Sequence, residues 1–125
     1  MEARVPILKI RNVLIVPIQI DLDDLTASQL QHDILSRIEQ TGATGVIIDI
    51  SVLDMVDSYL GRMLGDTALM ADLMDARVVL TGMQPQVAIT LVELGLNLDN
   101  IYSSLNMESG LELLESLLEG EGPLQ

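Results

Sequence analysis

The sequence predicts an α/β domain built on a small mixed sheet, and three observations carry that expectation. Apolar runs of strand length alternate with stretches of helical periodicity, the first two runs are separated by only two residues, and the third run is apolar on both faces. A chain of 125 residues that is 49% hydrophobic has apolar surface for one core and not for two. The expected order is β-β-α-β-α-β-α-β-α, with residues 1–120 as a single domain and residues 121–125 as a flexible tail. No linker, low-complexity tract or internal repeat divides it.

Val5 to Ile10 and Val13 to Ile18 are β-rich runs, and Arg11-Asn12 between them has the spacing of a tight hairpin. Pro17, which has no N–H to give to a ladder, is expected at an edge or a strand end. After the acidic loop Asp21 to Asp24, Thr26 and Gln29 read as a T-x-x-Q capping box, with Leu30, Ile34 and Ile38 on one helical face and Gly42 as the stop. Val46 to Ile50 is apolar apart from Asp49, so it reads as a central strand covered by helices on at least one side. Asp49 is expected to be a strand-end group that bonds loop amides.

From Ser58, the positions Leu60, Met63, Leu64, Thr67, Ala71 and Met74 recur at helical spacing and should face the sheet. Arg77 to Thr81 is a further strand, and Gly82 to Pro85 is a strand-to-helix turn in which Pro85 takes the first position of a short helix ending by Gly95. Ile101 to Ser103 is a last short strand, and Leu111, Leu114 and Leu118 define the closing helix.

Composition excludes several function classes. There is no Phe or Trp, and Tyr59 and Tyr102 are the only aromatics, so Leu, Ile, Val and Met fill the interior and no platform exists for stacking bases. A net charge of −13, from 19 acids against six Lys and Arg, repels a polyanion and excludes nucleic acid as a direct partner. The cations Arg4, Lys9 and Arg11 lie near the start, and no Lys, Arg or His follows Arg77. Without cysteine neither a disulfide nor a thiolate metal site can form, and no metal or cofactor is expected. MEARVPILKIRN lacks the apolar core of a signal peptide and no later run approaches the length of a membrane span, so a cytoplasmic location and no membrane partner are expected.

Catalysis is not expected either. A phospho-receiver arrangement is suggested by Asp49, Asp54, Asp57 and Thr81, but it needs a Lys near its last strand, and the only Lys is Lys9 on the first. His32 is the sole histidine and is far in sequence from Ser58, no G-x-S-x-G turn surrounds the serine, and no G-x-x-x-x-G-K-[ST] loop occurs.

The most informative segment runs from SVLDMVD (Ser51 to Asp57) into SYLGRMLGDTALMADLM (Ser58 to Met74). It offers Ser58 on the first turn of a helix, where free backbone N–H groups favour negative charge. On propensity alone such a serine is a helix N-cap. Tyr59 falls opposite Leu60 and Met63 and is expected to be exposed, while Arg62 has the spacing to pair with Asp66 or to reach a phosphoserine or a partner. Gly61 and Gly65 repeat a small-xxx-small spacing that implies close packing of this helix.

The segments PILKIRN, DLDDLTA, TGATGVIIDIS, DMVDSYLGRMLGD and VVLTGMQPQVAITLVELG, which cover most of residues 6 to 96, together resemble the STAS domain of anti-sigma factor antagonists, and within that family the RsbS-type proteins of the stressosome. The resemblance implies a STAS fold and a phosphoacceptor at Ser58, which follows Asp57 as the family's serine follows an Asp. It implies a partner surface over Met55, Val56, Asp57, Tyr59 and Arg62. The partners it implies are a serine protein kinase of the RsbT type, RsbR-type STAS paralogues, a phosphoserine phosphatase of the RsbX type, and further copies of the chain itself. In that reading the unmodified protein sequesters the kinase, and phosphorylation of Ser58 releases it to act in a general stress response. A phospho-receiver-like domain and a purely structural assembly domain are the alternatives.

Overall fold

Residues 5–96 and 98–118 are described by the structure, a computed structural model, and the tail expected at residues 121–125 lies outside them. The elements follow in the order β1 (Leu8–Ile10), β2 (Val13–Pro17), α1 (Asp24–Thr41), β3 (Gly45–Asp49), α2 (Ser58–Leu73), β4 (Arg77–Thr81), α3 (Pro85–Glu93), β5 (Ile101–Ser104) and α4 (Met107–Leu118). The strands stand side by side in chain order, β1-β2-β3-β4-β5. β1 runs antiparallel to β2 with Ile10 opposite Val13, and every later pairing is parallel. This is the mixed sheet expected from the two-residue hairpin followed by helical crossovers.

Period-two alternation divides the sheet into two buried faces. Leu14, Val16, Val46, Ile48, Val78 and Leu80 share one core with the apolar faces of α1, α2 and α3. Val13, Ile15, Ile47 and Val79 share a smaller one with Leu114 of α4. β3 lies at the centre with both faces covered, which is why Val46, Ile47 and Ile48 can all be apolar.

The structure departs from the sequence reading at several boundaries. β1 is shorter than the run from Val5 to Ile10, consistent with Pro6 having no N–H to give. β2 ends at Pro17, at a strand end as expected. α1 is capped three residues before the expected T-x-x-Q box. Asp23 is its N-cap, the Thr26 N–H donates to Asp23 Oδ1 at 2.7 Å, and Gln29 turns instead to Asp33. Aspartate outranks threonine as a cap, and this one precedes it in the chain. The Thr26 N–H also holds the Asp23 carboxyl below its ordinary pKa, because the bond favours the ionised form. Gly42, left-handed at φ 69°, ends α1 where the sequence places the stop.

In α2 the expected inward face is right from Leu60 to Ala71, and Gly61 and Ala68 join it. Met74 does not: the helix ends at Leu73, and Met74 is the C-cap residue, 39% exposed. In α4, Leu114 is buried, Leu111 is half-buried and Leu118 is exposed at the helix end.

Candidate functional site

β3 and β4 are parallel neighbours, so the loop after one and the turn after the other leave the same end of the sheet. The first residues of the β3–α2 loop are tied down there. Ile50 N–H donates to Thr81 O at 3.0 Å, Ser51 N–H to Asp49 Oδ1 at 2.9 Å, and Leu53 N–H to Ile50 O at 3.1 Å. Asp49 thus bonds a loop amide as its position suggested. Leu53 and Val56 anchor the middle and end of the loop in the core.

The β4–α3 turn braces this loop from the side. Gln84 Nε2 donates to Ser51 O at 2.8 Å. Gly82 has φ +74° and lies so close that a Cβ there would fall 2.6 Å from Ser51 Cβ. Only glycine combines that backbone conformation with that approach. Sequence reasoning treated Gly82 to Pro85 as a simple turn. Its supporting role depends on a contact across more than thirty residues, and no local pattern carries it.

At the other end of the loop Asp57, extended at φ −87° and ψ 177°, is the N-cap of α2, and the Leu60 N–H donates to its Oδ1 at 2.8 Å. Ser58 therefore stands on the first turn, as expected, and the reading by propensity alone, in which it is the cap, does not hold. With Asp57 taking the capping bond, Ser58 is the first helical residue, and its side chain is exposed. Beneath it α2 is packed tightly: a Cβ on Gly61 would lie 2.6 Å from Leu96 Cδ1 and 3.1 Å from Leu91 Cδ2. The small residue lets the first turns of α2 settle against α3 and the segment after it, which accounts for one of the two glycines.

The residues expected to form a partner surface divide into two groups. Met55 is 76% exposed and Tyr59 is 41% exposed, and Asp57 and Arg62 are also exposed. Val56 is 3% exposed and belongs to the core, so it positions the loop rather than offering a contact. The expected Arg62–Asp66 pair is not formed, whereas Arg77 pairs with Asp72 at 2.6 Å. An exposed i,i+4 pair is worth only about 0.2–0.5 kcal/mol, too little to impose one side-chain geometry.

Of the other hydroxyls near the site or in nearby elements, Thr81 is buried and Ser51 and Ser28 are exposed. His32 stands on α1, and among the described residues no group of three or more His, Asp or Glu is placed to hold a metal ion. Among the same residues no helix is long and apolar enough to cross a membrane. The arrangement is a serine displayed on a fixed helix start, flanked by the exposed carboxylates of Asp54 and Asp57.

Comparison with known proteins agrees with this geometry. A model of the STAS domain matches residues 4–108. The fold superposes on the S58E variant of RsbS from Moorella thermoacetica with a TM-score of 0.84 and 38% identity, covering 94% of this chain and 99% of that one. It also superposes on a chain from the molecular architecture of the stressosome, a signal integration and transduction hub, with a TM-score of 0.79 and 39% identity over 90% of this chain and 98% of that one. In sequence it is 22% identical over 112 residues to the RsbT co-antagonist protein RsbRA of Bacillus subtilis strain 168, a match that takes in 89% of this chain and 41% of that longer protein.

Proposed function

The chain belongs to the STAS domain family, and from that premise we propose that it is a phosphorylation-switched regulatory and scaffold protein of a bacterial stressosome. It acts in the cytoplasm as a binding protein and not as an enzyme. In its unmodified form it sequesters a serine kinase of the RsbT type. Phosphorylation of Ser58 releases that kinase to activate a downstream partner in the general stress response, and a phosphatase of the RsbX type resets the serine. RsbR-type paralogues and further copies of the chain join it in the assembly, in which this chain takes part through a single domain spanning residues 1–120.

The observation that carries this reading is the exposed Ser58 at the first position of α2, held there by the Asp57 cap and by the core residues Leu53 and Val56. The Moorella relative supports it, because a serine of the same number is replaced there by glutamate. Phosphorylation adds about −1.5 to −2 charges and several strong acceptor oxygens. At a helix N-terminus such charge is favoured by about 0.3–1 kcal/mol, offset in part by the neighbouring carboxylates of Asp54 and Asp57. Within the domain the modification is nearly neutral. A partner packed over Met55 and Tyr59 instead meets a dianion that must be stripped of water, which costs far more unless the charge is paired. Binding therefore switches while the fold does not.

Phosphopeptide mapping after incubation with an RsbT-type kinase and ATP tests the reading. Ser58 is expected to carry the phosphate, and Ser58→Ala is expected to abolish incorporation while still capturing the kinase. Stoichiometric phosphate on Ser51 or Ser28 with Ser58 unmodified would overturn it.

A further inference from the structure

Two adjoining clefts run along the surface beside the serine. One, of about 540 Å³, opens between the β3–α2 loop and the β2–α1 loop, with Met55, Asp54 and Asp57 on one wall and Asp21 and Leu22 on the other. The second, of about 790 Å³, continues from the same Asp21 and Leu22 along the start of α1 past Leu25 to Asp33. Because they share a wall they form one groove, and Asp57 at its end is the residue before Ser58.

The groove has two properties that belong together. It is lined by exposed apolar side chains, Leu25 at 80% and Ile20 at 38% in the longer cleft and Met55 at 76% in the shorter one. Its polar lining is acidic: Asp21, Asp23, Asp33, Asp54 and Asp57 contribute, and among the described residues no Lys or Arg lines either cleft.

We propose that this groove receives a segment of the sequestered kinase that presents Lys or Arg side chains beside an apolar anchor. The proposal rests on the kinase-binding role inferred above and adds where and by what chemistry that partner docks. Charge complementarity selects the occupant. Five carboxylates, with no lining cation among the described residues, attract a basic protein surface at this groove, and another acidic surface of a second copy complements it less well. Apolar lining beside a charged rim is the anatomy of a protein docking patch, in which buried anchors give affinity and rim charges give steering.

The direction of approach follows. The kinase reaches Ser58 from the side of α1 and the β2–α1 loop, and α4, on the other face of the sheet, lies away from the contact. A basic segment is also drawn towards a phosphate, so the groove itself does not expel the partner after modification. Release comes from the end of the groove beside Ser58, where the partner packs over Met55 and the adjoining Tyr59.

Calorimetric titration of a purified RsbT-type kinase into the full chain, at low and high salt, tests the docking site. Asp21→Lys, Asp54→Lys and Leu25→Ala alter exposed side chains, so the melting temperature serves as a control for folding. Each is expected to weaken capture by about tenfold, capture by the wild type is expected to weaken as salt rises, and Glu112→Lys, exposed on α4 across the sheet, is expected to leave it within about twofold. Unchanged affinity in all three groove variants, or an equal loss in Glu112→Lys, would overturn the groove and leave the switch standing. Absence of capture by the wild type would overturn the switch itself and the groove with it. Groove variants that change only the oligomeric state in light scattering would assign the surface to a second copy and overturn the proposal.

Discussion

Helices α2 and α3 start from the same end of the sheet, after neighbouring parallel strands, yet their first residues do opposite things. At α2 the capping aspartate bonds inward to Leu60 and leaves the next side chain, Ser58, facing solvent. At α3 the cap residue Gln84 makes no capping bond, Pro85 needs none at its missing N–H, and the Gln84 amide reaches across to Ser51 instead. One helix start displays a hydroxyl and the other braces the loop that displays it. The difference shows that presenting a modifiable residue requires less of that residue than of its surroundings, since Ser58 itself holds nothing together.

Substitutions on the two sides should therefore differ in kind. The largest effect is expected at the brace: Gly82→Val places a branched side chain at φ +74° against Ser51 and should cost about 2 kcal/mol or more, read as a lower urea midpoint. An unchanged midpoint would mean that the turn does not support the loop. Next comes the cap on the display side, where Asp57→Ala removes the acceptor for the Leu60 N–H and should cost about 1 kcal/mol in the same measurement. A loss at Asp57 larger than at Gly82 would reverse the assignment of brace and display.

The smallest effect concerns a third helix start and sharpens the comparison through pH. The Asp23 carboxyl is held below its ordinary pKa by the Thr26 N–H, so its contribution is fully present above the unfolded value and is lost as pH falls through the lowered folded value. Asp23→Asn keeps a capping oxygen but does not titrate. Its stability should therefore fall less than that of the wild type between about pH 5 and about pH 3. Parallel acid limbs in urea titrations would show that the Asp23 bond does not matter to the fold.

Most of the architecture was legible because it depends on local signals. Alternating apolar runs, the Arg11-Asn12 hairpin, Gly42 and Pro85 each act over a few residues, and the strand Arg77 to Thr81 was read to its ends. The errors arose where two local signals competed or where a contact spans the chain. Asp23 displaced Thr26 as a cap, and Met74 fell one residue beyond a helix whose period alone did not say where to stop. The burial of Val56 could not be read from a loop sequence in which it sits between exposed Met55 and Asp57. The role of Gln84 and the groove shared by Asp21 and Met55 were out of reach for the same reason, since folding brings those segments together.

The most direct test of the account measures melting temperature and kinase affinity on the same preparations of wild type, Ser58→Ala and Ser58→Glu. A charge displayed on a braced helix start should leave all three with stabilities within about 0.5 kcal/mol of one another, while Ser58→Glu loses the kinase that the other two hold. Equal affinity in all three, or a Ser58→Glu protein that releases the kinase only because it has unfolded, would contradict it.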